Sequence, residues 1–317
     1  EFRRVLFRSE ISRFWEERVS FASNKGKYVI LGVTGPNEYE NNSNNNWYTN
    51  RIAAWTLEYT TCAINYLKNN ELERYLELVN KLGLKEEEVS KWQNIIKNMY
   101  YPVDKELGIF LQQDGYMDKE QILVKDLDSK NLPLNQKWSW DRILRSCFIK
   151  QADVLQGIYF LQDRYDLETI RRNFEFYESR TVHESSLSPC VHTILAAKLG
   201  KYEKAYEMYL RTARLDLDNY NNDTKDGCHI TSMAGTWMSI VEGFGGMRVT
   251  DGKLILNPFI PKNWSSFSFK VLFRGVLLKV NIKKHQVIIT SESEQNITLS
   301  VNGKDYTIDG LIKIFIA

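Results

Sequence analysis

Residues 32–50, GVTGPNEYENNSNNNWYTN, place seven Asn and two carboxylates in nineteen positions. Glu38 follows the Gly35-Pro36 turn, and the amides around it bring donors and acceptors without charge. Such surroundings suit a carboxyl kept partly out of water and raised in pKa, which is what a general acid needs near neutral pH. A capping loop with an exposed Glu has the same composition. Three further clusters could bind an anion or a polyol. His183-Glu184-Ser185-Ser186 runs into Ser188-Pro189, an N-cap followed by a residue suited to the first helical position. Free N–H groups there attract anions, and a His with two hydroxyls adds donors. His229 lies in DGCHITSMAG, just before Thr231 or Ser232 as candidate caps. Lys150 and Gln151, in KQADVL, could grip sugar hydroxyls. A packed His, a hydroxyl satisfied in its own turn and a solvated first helical turn are the competing explanations.

These groups need elements to hold them. Apolar residues recur at three- and four-residue spacing over 47–69, predicting an amphipathic helix there. The same period marks 71–82, 85–99, 147–161, 167–177, 189–199, 201–214 and 232–243. Turns such as Leu199-Gly200-Lys201 suit antiparallel helix pairs. In a helical barrel the loops before inner helices gather at one end, so these clusters could form one site. After Gly245-Gly246 the pattern changes to short alternating strands broken by Asp251-Gly252 and Asn302-Gly303. The expected division is a helical catalytic part over 10–246 and a small antiparallel β-domain over 247–317.

Composition removes several classes. Of 317 residues 43% are hydrophobic and 13% aromatic, which argues against disorder. Residues 1–9, EFRRVLFRS, lack a signal-peptide core and read as a non-native scar before a chain that starts near Glu10. Without their three Arg and one Glu, 39 of the 42 basic and 39 of the 40 acidic residues remain, so net charge gives no case for nucleic acid or membrane as partner. Cys62, Cys147, Cys190 and Cys228 form no CxxC pair, which favours reduced thiols and a cytoplasmic setting. HESSL is not HExxH, because residue 187 is Leu. Gly243-Phe244-Gly245-Gly246 follows a helix, not a strand, so a dinucleotide fingerprint fails too.

In order, VTGPNEYENNSNNNWYTN, GIFLQQDGYMDKE, KQADVL, TVHESSLSPCVHTILAAKLG and DGCHITSMAGTWMSIVEGFGGMRV resemble the inverting α-glucoside phosphorylases. That family contains maltose, trehalose, kojibiose and nigerose phosphorylases with some related hydrolases, and the wording here is nearest the maltose-specific members. The resemblance implies a mainly α fold: a partial (α/α)6 barrel followed by a small antiparallel β-domain, without the family's N-terminal β-sandwich and early barrel helices. A fragment of that kind would be inactive alone. By motif, Glu38 takes the place of the general acid, and Lys150 and Gln151 that of residues holding the glucosyl ring. His183, Ser185 and Ser186 fall on the phosphate-binding motif, with the His229 loop beside it. The implied reaction calls for no metal and no organic cofactor; it converts maltose and inorganic phosphate, its two partners, to β-glucose 1-phosphate and glucose, in a family whose full-length members commonly form homodimers. An inverting hydrolase of the same architecture, with Glu184 as the carboxylate beside the anion loop, and a non-catalytic carbohydrate-binding fragment are the alternatives.

Overall fold

A computed structural model of the chain describes residues 2–293 and 295–316. They form two compact units, the first ending at Ile149 and the second beginning at Lys150.

The first unit opens with α1 (Phe2–Arg18) and the hairpin β1 (Ser20–Ala22) and β2 (Lys27–Val29). The Asn-rich loop then leads into α2 (Trp47–Asn70). Along α2 the residues at 47, 50, 53, 54, 57, 60, 61, 64 and 67 are buried, the stripe that its period predicts. Asn46 caps it, accepting the Thr49 N–H at 2.9 Å. Helices α3 (Leu72–Leu82) and α4 (Glu86–Asn98) close over that stripe with Leu78, Trp92 and Ile95. Three Glu in the first turn of α4 complement its dipole. Glu88 of that turn grips Arg13 of α1 through two hydrogen bonds, at 2.7 and 3.2 Å. The strand pair β3 (Val103–Asp104) and β4 (Ile109–Phe110) and two short helices, α5 (Leu134–Lys137) and α6 (Trp140–Leu144), complete the unit. The two short hairpins have too few residues to show a period in sequence.

The second unit carries α7 (Val154–Phe160), α8 (Leu167–Glu178), α9 (Pro189–Lys198), α10 (Tyr202–Ala213) and α11 (Ile230–Met238). Eight consecutive residues of α9, Pro189 to Ala196, are buried, so this helix has no water-facing side over two turns. Helix α11 crosses it closely at Gly235, where an added Cβ would stand 3.0 Å from Cys190 Cβ. Two boundaries differ from the sequence expectation. The helix expected from 147 starts at Val154, and residues 150–153 stay irregular. The helix expected from 232 starts at Ile230 and ends in a π-helical turn over Ser239–Phe244. Neither Thr231 nor Ser232 caps it; His229 holds the cap position.

Strands follow: β5 (Arg248–Thr250), β6 (Lys253–Leu256), β7 (Ser266–Phe273), β8 (Val276–Lys283), β9 (Gln286–Ser291), β10 (Ile297–Val301), β11 (Lys304–Ile308) and β12 (Leu311–Phe315). They make two four-stranded sheets, ordered β11-β10-β6-β5 and β12-β9-β8-β7. Inward Val276, Leu278, Val280 and Ile282 of β8 alternate with more exposed residues, as a strand with one buried face must. All sheet pairs are antiparallel except β10 with β6, which run parallel. A long connection through β7–β9 separates those two strands and allows the parallel return.

Gly246 fixes the passage from helix to sheet. Its φ is +58°, and a Cβ there would lie 2.3 Å from the Asn257 carbonyl oxygen. Gly246→Ala should therefore cost about 2 kcal/mol or more, because strain and collision add. Gly303, at φ +75° with open space around it, should lose about 1 kcal/mol on the same change. Denaturant midpoints of the two variants check this; equal small losses would contradict it.

Candidate active site

The Asn side chains of the first loop bond its own backbone and tie it to neighbouring segments. Asn45 accepts the Ile30 N–H at 3.2 Å and donates to Asp114 Oδ2 at 2.7 Å. Asn44 accepts the Gly32 N–H, Asn46 donates to the Gln112 carbonyl, and Asn50 donates to the Tyr100 carbonyl. Asn42 and Asn45 take left-handed backbone angles, which Asn tolerates better than most residues. Asn37, fully buried, accepts the Tyr39 N–H and donates to Gln112 Oε1. The structure thus joins the motif at 32–50 to that at 108–120, a pairing that their spacing in sequence does not reveal.

This arrangement sorts the loop's two carboxylates. Glu40 is buried, ion-paired with Lys119 and accepting from Gln113 Nε2 at 2.9 Å. Glu38 is exposed, between buried Asn37 and Tyr39. The expectation that the Asn groups keep Glu38 partly out of water is not met. Their capacity goes to orphan N–H and C=O groups, whose desolvation would otherwise cost more.

In the second unit three of the sequence clusters come together. The Glu184 N–H donates to the Lys150 carbonyl at 3.1 Å, tying the Lys150-Gln151 segment to the 183–186 turn. Gln151 is buried and Lys150 half-buried. Ser186 Oγ lies 2.5 Å from Thr231 Oγ1, tying the same turn to the first turn of α11. Ser185 Oγ accepts the Leu187 N–H at 3.2 Å, and both Ser185 and Ser186 are half-buried. Arg211 of α10 donates to the Val182 and His183 carbonyls at 3.2 and 3.1 Å. Burial lowers the Arg211 pKa, partly offset by Tyr220, Glu184 and Glu178.

His183 itself points inward. It is 5% exposed, has φ +56°, and shares a 2.9 Å hydrogen bond between Nδ1 and Ser188 Oγ. Ser188 thus bonds this ring and makes no side-chain cap to α9. The His183 and His192 rings meet edge-on at 4.5 Å, and His192 Nδ1 bonds the Glu178 carboxylate. Burial first, then the neighbouring His192, push the His183 pKa down to about 4 against the pull of Glu178. Burial also opposes charge on Glu178, yet the two rings outweigh it and hold that carboxyl well below the usual range. Glu178, His183 and His192 have the donor types of a metal site. The Lys204 ammonium, 3.4 Å from the other Glu178 oxygen, already neutralises that carboxylate and disfavours a second cation.

His229 is half-buried at the start of α11. Asp216 takes it by both ends, accepting its backbone N–H at 2.8 Å and its Nδ1 at 2.5 Å. Its Nε2 stands 3.4 Å from Asp223 Oδ2. The hydrogen bond to Asp216 is the main cause raising the His229 pKa, opposed by burial and aided by Asp223. Glu178, His192, Arg211, Asp216 and Asp223 support these candidate turns without having been singled out in sequence, and Thr231 appeared there only as a candidate cap. His192 lies within the quoted TVHESSLSPCVHTILAAKLG motif and Thr231 within DGCHITSMAG; the others lie in neither. Cys190 and Cys147 are buried, whereas Cys62 and Cys228 are exposed. Burial pushes the Cys190 thiol up to about 11.

Both shifts in the inner cluster give stability the same pH dependence. A His whose folded pKa lies below 6.5 stabilises the fold above that pH and loses the contribution as pH falls toward about 4. Glu178, held low, keeps its contribution above the ordinary carboxyl value of 4.5 and loses it as pH falls further, beyond the His183 range. His183→Gln should therefore lack this acid-dependent loss, so the stability gap between the parent protein and the variant should shift by on the order of 3 kcal/mol in the variant's favour between neutral pH and about pH 4. Denaturation of both proteins at several pH values checks it; a gap between them that shifts in the parent's favour in acid would contradict it.

Residues 5–238 match the glycosyl hydrolase family 65 central catalytic domain, and residues 247–308 the C-terminal domain of that family. The chain is 53% identical over 300 residues to a maltose phosphorylase of Bacillus subtilis, covering 95% of this chain and 39% of that protein. It is 40% identical over 285 residues to an alpha,alpha-trehalose phosphorylase of Thermoanaerobacter brockii, covering 90% and 37%. A solved structure described as a putative kojibiose phosphorylase from human microbiome superposes with a TM-score of 0.90 at 35% identity, over 99% of this chain and 46% of that one. The chain thus spans about 39% of the length of the maltose phosphorylase it matches. On both domain matches, it belongs to glycosyl hydrolase family 65.

Proposed function

We propose that the protein takes part in inverting phosphorolysis of an α-glucosyl disaccharide, with maltose and phosphate giving β-glucose 1-phosphate and glucose. One observation carries this: the 183–186 turn and the α11 start, both rich in donors, are joined through Ser186 and Thr231. That is a setting for an anion, whose oxygens accept from hydroxyls, N–H groups and a cationic ring. In this scheme Glu38 protonates the glycosidic oxygen while phosphate attacks the anomeric carbon from the opposite face. Phosphate arrives already anionic, so no second carboxylate is needed, whereas an inverting hydrolase places a base roughly 6.5–9.5 Å from its acid. Lys150 and Gln151 hold the glucosyl ring. Ser185, Ser186 and His229 bind phosphate; His183, expected beside them as a phosphate ligand, is turned inward onto Ser188 and serves that site through its turn.

The same proposal extends to architecture and setting. Residues 10–246 belong to an (α/α)6 barrel and 247–317 to its C-terminal β-domain, in a cytoplasmic homodimer without metal or organic cofactor. Among the described residues no helix is long and apolar enough to cross a membrane. A hydrolase reading keeps Glu184 as its base; Glu184 is 8% exposed, which counts against water activation there.

Two outcomes test the roles in the full-length protein. Glu38→Gln should lower phosphorolysis of maltose by about 10²–10⁴-fold, yet leave α-glucosyl fluoride, whose leaving group needs no proton, far less affected. Equal losses on both substrates would remove Glu38 from the acid role. Ser185→Ala with Ser186→Ala should raise the phosphate KM about tenfold or more with little change for maltose. Turnover of maltose at an undiminished rate without phosphate would replace the phosphorylase by the hydrolase.

A further inference from the structure

His229 is the ring in the second unit flanked by two carboxylates from its own connecting loop, and their geometries differ. Asp216 meets it at hydrogen-bond distance twice, on the backbone N–H and on Nδ1. That grip fixes the tautomer, because Nδ1 must carry the proton that Asp216 accepts. The remaining nitrogen, Nε2, is then the one aimed at a ligand. Asp223 Oδ2 stands 3.4 Å from it, beyond a good hydrogen bond yet close enough to be attracted to a cationic ring. Backbone bonds to the Asn219 side chain hold the segment around Asp223, through the Asp223 and Thr224 N–H groups at 3.1 and 3.2 Å. Those bonds hold the main chain; the carboxylate, about one-third exposed, has its Nε2 contact alone among the described residues.

We propose that the two carboxylates act on His229 in opposite senses: Asp216 is a positioning residue that aims Nε2, and Asp223 is a placeholder anion that inorganic phosphate displaces. The inference rests on His229 being a phosphate ligand, as proposed above. In the empty site Asp223 balances the ring's charge. When phosphate enters, one of its oxygens takes the place of the carboxylate at Nε2, and Asp223, left beside a second anion, turns out to water. Asp223 thus lowers phosphate affinity, and Asp216 raises it. Both carboxylates support the protonated ring, with Asp216 the stronger support. Any step that needs His229 protonated weakens as pH rises through its raised pKa. Without Asp216 that loss comes at lower pH.

The test measures maltose phosphorolysis by the full-length protein against inorganic phosphate concentration, between about pH 5.5 and 8. Asp223→Asn keeps shape and removes charge; it should lower the phosphate KM by about 3- to 10-fold and change the maltose KM far less. Asp216→Asn should raise the phosphate KM about tenfold and move the alkaline fall of kcat/KM for phosphate to lower pH. Asp223→Ser, smaller and equally uncharged, should repeat the gain and so separates loss of charge from a local packing change. A rise in phosphate KM in both Asp223 variants overturns the proposal, as does an unchanged value. The parent reading fails separately: His229→Ala with an unaltered phosphate KM removes His229 from the anion site whatever the carboxylates do.

Discussion

The turn at His183 is the constraint on which the second unit's polar face depends. A non-glycine residue in the left-handed region costs about 1–2 kcal/mol, and persists only where its surroundings over-determine it. Here they do: the imidazole is locked between Ser188 and the His192–Glu178 pair, and Arg211 holds the carbonyls on either side of the bend. The bend lets Glu184 pair its N–H with Lys150 and lets Ser186 reach Thr231. Relax the corner, and three separate segments lose their common anchor.

The first unit solves a related problem differently. Its loop before α2 has little regular structure, so its backbone groups need partners from side chains. Neutral amides supply them from buried positions at low cost, because they bring no charge into the interior. The one buried carboxylate there, Glu40, comes with its own cation, Lys119. Glu38 projects from this rigid base. Binding groups on loops are most useful when such a scaffold fixes their position.

Much of this was legible in sequence, and the failures have physical causes. Long helices such as 47–70 and 202–213 announced themselves by period, and β7 to β11 by alternation and Gly turns. The segment 147–153 carries apolar residues that are buried without being helical, so period alone misassigned it. The parallel β10–β6 pair depends on a return over some forty residues, which no local signal encodes. Among the candidate functional residues, Glu38, Lys150, Gln151 and the HESS turn stood out by residue type. Their supports did not: Glu178 and His192 are ordinary members of helices α8 and α9, and Asp216 lies 13 positions from the ring that it orients. Contacts across such distances are products of packing.

The uneven burial of the four thiols divides them by reactivity. Cys147 and Cys190 are shut inside, and Cys190 also carries a pKa too high to supply thiolate at neutral pH. A maleimide or a spin label would therefore attach at Cys62 and Cys228, giving each unit one native reporter without mutagenesis. Cys228 sits directly before His229, so a label's mobility there would register what occupies that ring's neighbourhood, and the Cys62 signal would serve as the internal control.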